Sequence, residues 1–177
     1  GPAYGGSCFP KDTKGLVSTG DKHKINLSIV KSVIKSNQDR VSLHIKRLDK
    51  ILGKNLKNKT IVFLGVTFKP NTDDMREASS IPMMNFLSKK NCKIRYFDPS
   101  GKKKELSKIK NVQFYKNISS ACFKSDLIII HTEWNVFKLL NFKNLVKKKN
   151  FSIYDMRNIY SPTKMKKMKI KYFGVGR

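Results

Sequence analysis

From Lys59 onward the chain alternates short apolar runs with amphipathic or polar stretches, and this alternation limits the possible folds more than any other feature. Six runs have strand length and composition: Thr60–Leu64, Lys93–Phe97, Val112–Tyr115, Leu127–His131, Phe151–Tyr154 and Lys171–Gly174. Runs such as IVFLG and LIIIHT are apolar almost throughout, which is the pattern of strands covered on both faces of a parallel sheet. Parallel neighbours need crossover connections, usually helices. Helical segments are expected over Ser80–Lys89, Lys103–Ile109, Ile118–Phe123, Asn135–Val146 and Pro162–Met168. This alternation predicts an α/β fold, with a Rossmann-like parallel sheet domain over residues 58–177. Ligands of such sheets gather outside the carboxyl ends of the strands.

A different pattern precedes the sheet. Ile29, Val30, Val33, Ile34, Val41, Ile45, Leu48 and Leu52 recur at helical spacing, and Gly53 is a plausible stop. They predict one long central helix, about Lys22 to Leu52, within residues 21–57. Two shorter helices with a break near Ser36-Asn37 are the alternative. A helix this long suits a span between domains, or packing against a twin in a dimer. Residues 1–20 form a Gly-rich opening, expected to be an irregular catalytic loop.

That opening holds GGSCFPKD, Gly5 to Asp12. The glycines permit a tight turn or the close approach of a ligand, and Pro10 stiffens the segment. Lys11 sets a positive charge near the thiol, which suits a nucleophilic cysteine. Asp12 adds a group able to accept or orient a proton. Cys8 is therefore a candidate nucleophile, against the plainer reading of an incidental loop cysteine.

Charge narrows the function classes. The formal net charge is +26, yet only six of the 38 basic residues are Arg (Arg40, Arg47, Arg76, Arg95, Arg157 and Arg177). Base readers lean on Arg for bidentate contacts. Lysines spread along the chain read instead as a solvated surface, so no specific nucleic-acid partner is expected. Cys8, Cys92 and Cys122 make no zinc pattern, so no metal is expected. A sparse, odd set of cysteines suits a reducing cytoplasm. No apolar run approaches the ~20 residues of a membrane span, and no signal peptide is read. The chain opens inside a functional-looking loop without Met, so a piece of a longer protein is expected.

The expected strand ends carry further candidates. The first leads into GVTFKPNTDDMREASS, where Lys69 and Arg76 bracket a polar loop that could hold phosphate before a helix start at Ser79-Ser80. GxGxxG is missing there. Phe68 could stack on a base or sugar, or simply cover the core. Asp98 is better read as a turn or cap than as a ribose ligand. His131 and Trp134 are better read as packing and capping groups than as catalytic ones. Arg157 is a third cation, able to converge on the same crevice or to lie on the surface.

GGSCFPKDTKGL, VTFKPNTDDMREASSI, HTEWNVF and YDMRNIYSP, with the ending YFGVGR, resemble the motifs of the UDP-glucose/GDP-mannose dehydrogenase family, in order along nearly the whole chain. The resemblance implies two oxidations of a sugar C6 alcohol by NAD, with UDP-glucose the substrate and UDP-glucuronate the product. By matching position, Cys8 would form a thiohemiacetal and then a thioester, and Asp12 would assist the water or the proton transfers. Gly1, Tyr4, Gly5, Phe68, Lys69 and Arg157 would contact substrate, and Lys11 and Arg76 would contact NAD. A homodimer through the central helix is implied, as is an N-terminal NAD-binding domain that these residues lack. Met156 and Ala3 stand where the family often has Gly. The isolated chain is thus expected to fold without turning over substrate. Another nucleotide-sugar dehydrogenase, or a non-catalytic UDP-sugar-binding module, is the alternative.

Overall fold

The computed structural model describes residues 1–53 and 55–176. Helix α1 (Cys8–Lys22) and helix α2 (Ser28–Leu52) form a hairpin ahead of a six-stranded sheet. The strands are β1 (Thr60–Leu64), β2 (Lys93–Phe97), β3 (Val112–Phe114), β4 (Leu127–Ile130), β5 (Ser152–Asp155) and β6 (Lys171–Gly174). They lie in the order β3-β2-β1-β4-β5-β6, and every pairing is parallel. This is the doubly wound order, with its direction reversing between β1 and β4.

The two faces of the sheet carry separate cores, because side chains alternate along each strand. Ile61, Phe63, Ile94, Leu127, Ile129 and Tyr154 face a cluster that includes Leu48, Leu52 and Leu56, together with Met83, Met84 and Leu87 of α3 (Ser80–Lys89). Val62, Leu64, Ile128, Ile130 and Ile153 face the other cluster. There they meet Ala121 and Cys122 of α4 (Ile118–Cys122), Phe142 and Val146 of α5 (Phe142–Val146), and Met165 of α6 (Pro162–Lys167). β1 and β4 are buried at every position, as their unbroken apolar runs require.

Four expectations are corrected. The opening segment is irregular only to Ser7; Cys8 starts a helix, and Pro10 fits in its first turn, where no intrahelical N–H is needed. The central helix runs unbroken through Ser36-Asn37 to Leu52, as the single-helix reading requires, but it starts at Ser28 rather than Lys22, because a turn at 23–27 separates it from α1. Lys24 is left-handed (φ 57°), and the turn closes as Leu27 packs against Gly20. Residues Lys103–Ile109 form successive turns instead of a helix. The bonds there run Ser107 N–H to Lys104 O and Ile109 N–H to Leu106 O, while Lys103 N–H donates to the Tyr96 hydroxyl. The expected helix over Asn135–Val146 is likewise divided. A 3-10 turn covers Asn135–Phe137, and Asn141 caps α5 anew through a bond from Asn144 N–H.

Candidate functional site

An open cleft of about 880 Å³ lies between the first half of α2 and the carboxyl ends of the strands. Gly1, Tyr4, Gly5, Phe68 and Arg157 line it, so five of the expected substrate contacts meet at one place. Ile29, Val33, Asn37 and Arg40 of α2 form the facing wall. Lys69 is not in the lining; it is exposed, with Nζ 5.4 Å from the centre of the Phe68 ring.

Residues 1–6 lie outside any helix or strand, and side chains and loops take up several of their backbone groups. Tyr4 N–H donates to Asn37 Oδ1 (2.9 Å), and Asn37 Nδ2 donates back to Tyr4 O (3.1 Å). Arg40 Nε donates to Gly1 O (2.8 Å), and Gly6 N–H donates to Arg76 O (2.8 Å). The Gly-Gly pair is explained by contacts within the chain. A Cβ on Gly5 would stand 2.6 Å from Glu77 O, and one on Gly6, at φ 84°, would stand 2.7 Å from the Phe68 ring. The glycines let Phe68 lie directly on the turn that precedes the cysteine.

Cys8 is exposed and free at the first position of α1, with Sγ 3.6 Å from Ser7 Oγ. The unpaired N–H groups of a helix start favour negative charge developing beside them. The other cysteines are poor nucleophiles: burial pushes the Cys92 thiol up to about 11 and Cys122 to about 12. Asp12 is exposed one helical turn beyond Cys8 and lies 3.6 Å from Lys11 Nζ. Arg76 forks onto Asp74, with Nε to Oδ1 and Nη2 to Oδ2 both at 2.9 Å. That bond holds the Asp74 carboxyl below the usual carboxylate range. Cys8, Asp12, Lys11 and Arg76 thus cluster around the start of α1, next to the cleft and outside its lining.

Arg157 is mostly buried. Its Nε donates to His131 O and its Nη2 to Phe68 O, both at 2.9 Å, which ties the ends of β4 and β1 together. Glu133 Oε2 stands 2.8 Å from the same Nε, but the N–H points at the His131 carbonyl, so this contact is ionic rather than a hydrogen bond.

His131 is fully buried and serves the interior. Thr132 Oγ1 donates to Thr67 O (2.6 Å), so it must accept from His131 Nδ1–H (3.1 Å). Nε2 then accepts from the Ser79 hydroxyl (2.8 Å). Burial, reinforced by the Arg157 charge, lowers its pKa to about 3, which keeps the ring neutral. This chain of bonds fixes the loop that carries Phe68. It also occupies Ser79, while Ser80 donates to Val66 O, so neither hydroxyl faces a phosphate. Asp98 is a turn residue: it accepts from Val66 N–H, Ser100 N–H and the Ser100 hydroxyl. Asn37 and Arg40 were missed as site residues, because within a helical pattern they read as surface. Their i, i+3 spacing was the available signal, since it puts both on one face.

Among the described residues no group of three or more His, Cys, Asp or Glu could hold a metal ion, and no helix is long and apolar enough to cross a membrane. The strand order and the cleft at its reversal define a Rossmann-like domain of the kind that binds nucleotides, led by a cysteine-bearing helical hairpin. The UDP binding domain of the UDP-glucose/GDP-mannose dehydrogenase family matches residues 62–162, and the central domain of that family matches residues 1–39. The chain belongs to this family.

A UDP-glucose 6-dehydrogenase of Rickettsia prowazekii is 41% identical, over 99% of this chain and 41% of its own length. One from Bacillus subtilis is 37% identical over all of this chain and 40% of its own length. The chain therefore spans about two fifths of these relatives. Among solved structures, a UDP-glucose dehydrogenase from Pyrobaculum islandicum superposes with a TM-score of 0.81 at 26% identity, covering 99% of this chain and 38% of the other.

Proposed function

We propose that this chain is part of an NAD-dependent UDP-glucose 6-dehydrogenase that oxidises UDP-glucose twice at C6 to UDP-glucuronate. The observation that carries the reading is an exposed cysteine at a helix start beside a strand-end cleft, in a chain 41% identical throughout to such an enzyme. The cleft takes the UDP-sugar. Phe68 offers a ring face to the base or sugar, Arg157 and Lys69 offer positive charge, and Gly1, Tyr4 and Gly5 form the wall. Cys8 Sγ bonds to C6 at the aldehyde level and holds it as a thiohemiacetal, which becomes a thioester on the second oxidation. Asp12 accepts the proton of the water that releases the acid.

Exposed Lys11 and Arg76, flanking Cys8, fit a pyrophosphate-bearing cofactor, and NAD there would supply the hydride acceptor. Most of the NAD site belongs to a preceding Rossmann domain outside these residues. Exposed Leu43, beyond the cleft on the α2 face that carries Ile29 and Val33, supports a homodimer that packs along that helix beside the cleft. The protein works in the cytoplasm.

Calorimetry with UDP and GDP tests the reading. The chain is expected to bind UDP and to prefer it; equal binding, or none, refutes it. Joined to its upstream half, the protein should reduce NAD with UDP-glucose and lose that turnover in Cys8→Ala. The 177-residue chain alone should not reduce NAD.

A further inference from the structure

We propose that Asn37 is a positioning residue: its carboxamide clamps the Tyr4 backbone and so sets the segment that walls the cleft and leads to Cys8. The inference rests on the UDP-sugar reading of the cleft, but its geometry stands apart from it.

Residues 1–6 belong to no helix or strand, so each backbone donor and acceptor there needs a partner from elsewhere. For Tyr4, a half-buried residue, a single side chain supplies both: Asn37 accepts the N–H at 2.9 Å and donates to the C=O at 3.1 Å. The carboxamide makes the paired contacts that a neighbouring strand would make. Aspartate could supply only the acceptor and leucine neither, so the chemistry selects an amide.

Asn37 lies well inside the 25-residue helix α2, where asparagine is a poor choice. An interior Asn is a weaker helix former than Ala, because its side chain competes for backbone bonds. Here the helix continues unbroken, and the carboxamide bonds outward, 33 residues back along the chain. The Ser36-Asn37 pair that reads as a break in the sequence is a docking point.

Arg40, one turn on, donates to Gly1 O from the same face. Downstream, Gly6 N–H is held by Arg76 O, Phe68 covers Gly6, and the Tyr4 ring meets the Phe9 ring edge-on at 4.6 Å. Tyr4 is thus linked on one side to α2 and on the other to the first turn of α1, where Cys8 sits. Both ends of the Asn37 carboxamide are taken up by the Tyr4 backbone, so it acts through Tyr4.

The test uses the chain with Asn37→Ala and Asn37→Asp, each followed by amide hydrogen exchange, UDP calorimetry and thermal melting. Alanine is the better helix former, so α2 itself is not weakened. In Asn37→Ala, exchange at the Tyr4 N–H is expected to rise about tenfold, the effect of losing one hydrogen bond of ordinary net strength. UDP affinity is expected to fall by a similar factor, with the melting temperature within a few degrees of the parent. Asn37→Asp keeps the acceptor, so its Tyr4 exchange should fall between the two.

Unchanged Tyr4 exchange in Asn37→Ala overturns the proposal. So does raised exchange with unchanged UDP affinity, because the clamp would then position nothing. If the parent chain binds no UDP, the functional reading fails by itself, and Tyr4 exchange still decides whether the clamp holds.

Discussion

Acid should destabilise this chain through its two buried histidines, and His131 allows the effect to be worked out. The ring is wholly buried, and its hydrogen bonds fit only the neutral form: Nδ1–H donates to Thr132 and Nε2 accepts from Ser79. Its charged neighbour is Arg157, which donates to the His131 carbonyl and opposes a second positive charge. The folded pKa is lowered to about 3, against about 6.5 in the unfolded chain. Between those values the unfolded state binds the proton and the folded state does not. Stability is therefore complete above pH ~6.5 and is lost as pH falls through the window. At pH 5 the loss is about 2 kcal/mol, from some 1.4 kcal/mol per pH unit over 1.5 units. His44 is buried against the Tyr154 hydroxyl at 2.5 Å, and burial lowers its pKa to about 4; it adds about 2 kcal/mol more.

A total of about 4 kcal/mol is a large part of the 5–15 kcal/mol typical of a domain. Urea unfolding at pH 7.5 and pH 5.0, followed by the single tryptophan Trp134, measures the loss. His131→Gln removes the titration, so its loss between the two pH values should be about 2 kcal/mol smaller than the parent's. Self-repulsion from the +26 net charge is present in both proteins and cancels in the comparison. An equal loss in the two proteins would falsify the argument, because the proton would then be binding elsewhere.

Other outcomes follow from the site. Iodoacetamide should modify one cysteine quickly under native conditions, and peptide mapping should place it at Cys8; rapid labelling of Cys92 or Cys122 would contradict their burial. Gly5→Ala forces a methyl to within 2.6 Å of a backbone oxygen, so it should lower stability by about 1–3 kcal/mol in denaturant titration and weaken UDP binding. Arg157→Met removes two charge-assisted bonds to carbonyls, each worth about 1.5–3 kcal/mol, and should cost several kcal/mol in the same assay. Retention on DNA should vanish near physiological salt, since a lysine surface supplies only the counterion-release term; selective binding that persists would contradict this.

The sheet was legible because burial on both faces leaves a mark that periodicity can detect. IVFL and LIII could only be central strands, and they are β1 and β4. The strand ends therefore pointed to Lys69, Arg76 and Arg157 as cations that could share one crevice, and of these Arg157 lines it. Helix limits were less legible. Cys8 and Pro10 read as loop because Gly5-Gly6 precede them, yet a proline in the first turn is compatible with a helix. Lys103–Ile109 has helical composition, but Lys103 gives its N–H to the Tyr96 hydroxyl and the segment settles into turns. Asn37 was hidden for a related reason: its partner is a backbone group 33 residues away, and helical spacing marks the face it shares with Arg40 but not what that face meets.

The sheet has two open borders, β3 and β6, and both are short, at three and four residues. Lys110 and Lys116 flank the first, and Lys169 and Lys171 guard the second. An unpaired border next to central strands as apolar as LIII invites stacking by another copy. Brief borders studded with lysine answer that hazard, since each approaching chain brings the same sign of charge. The lysine-rich surface thus also serves as self-avoidance, keeping copies of a strongly β-forming sequence apart while they fold.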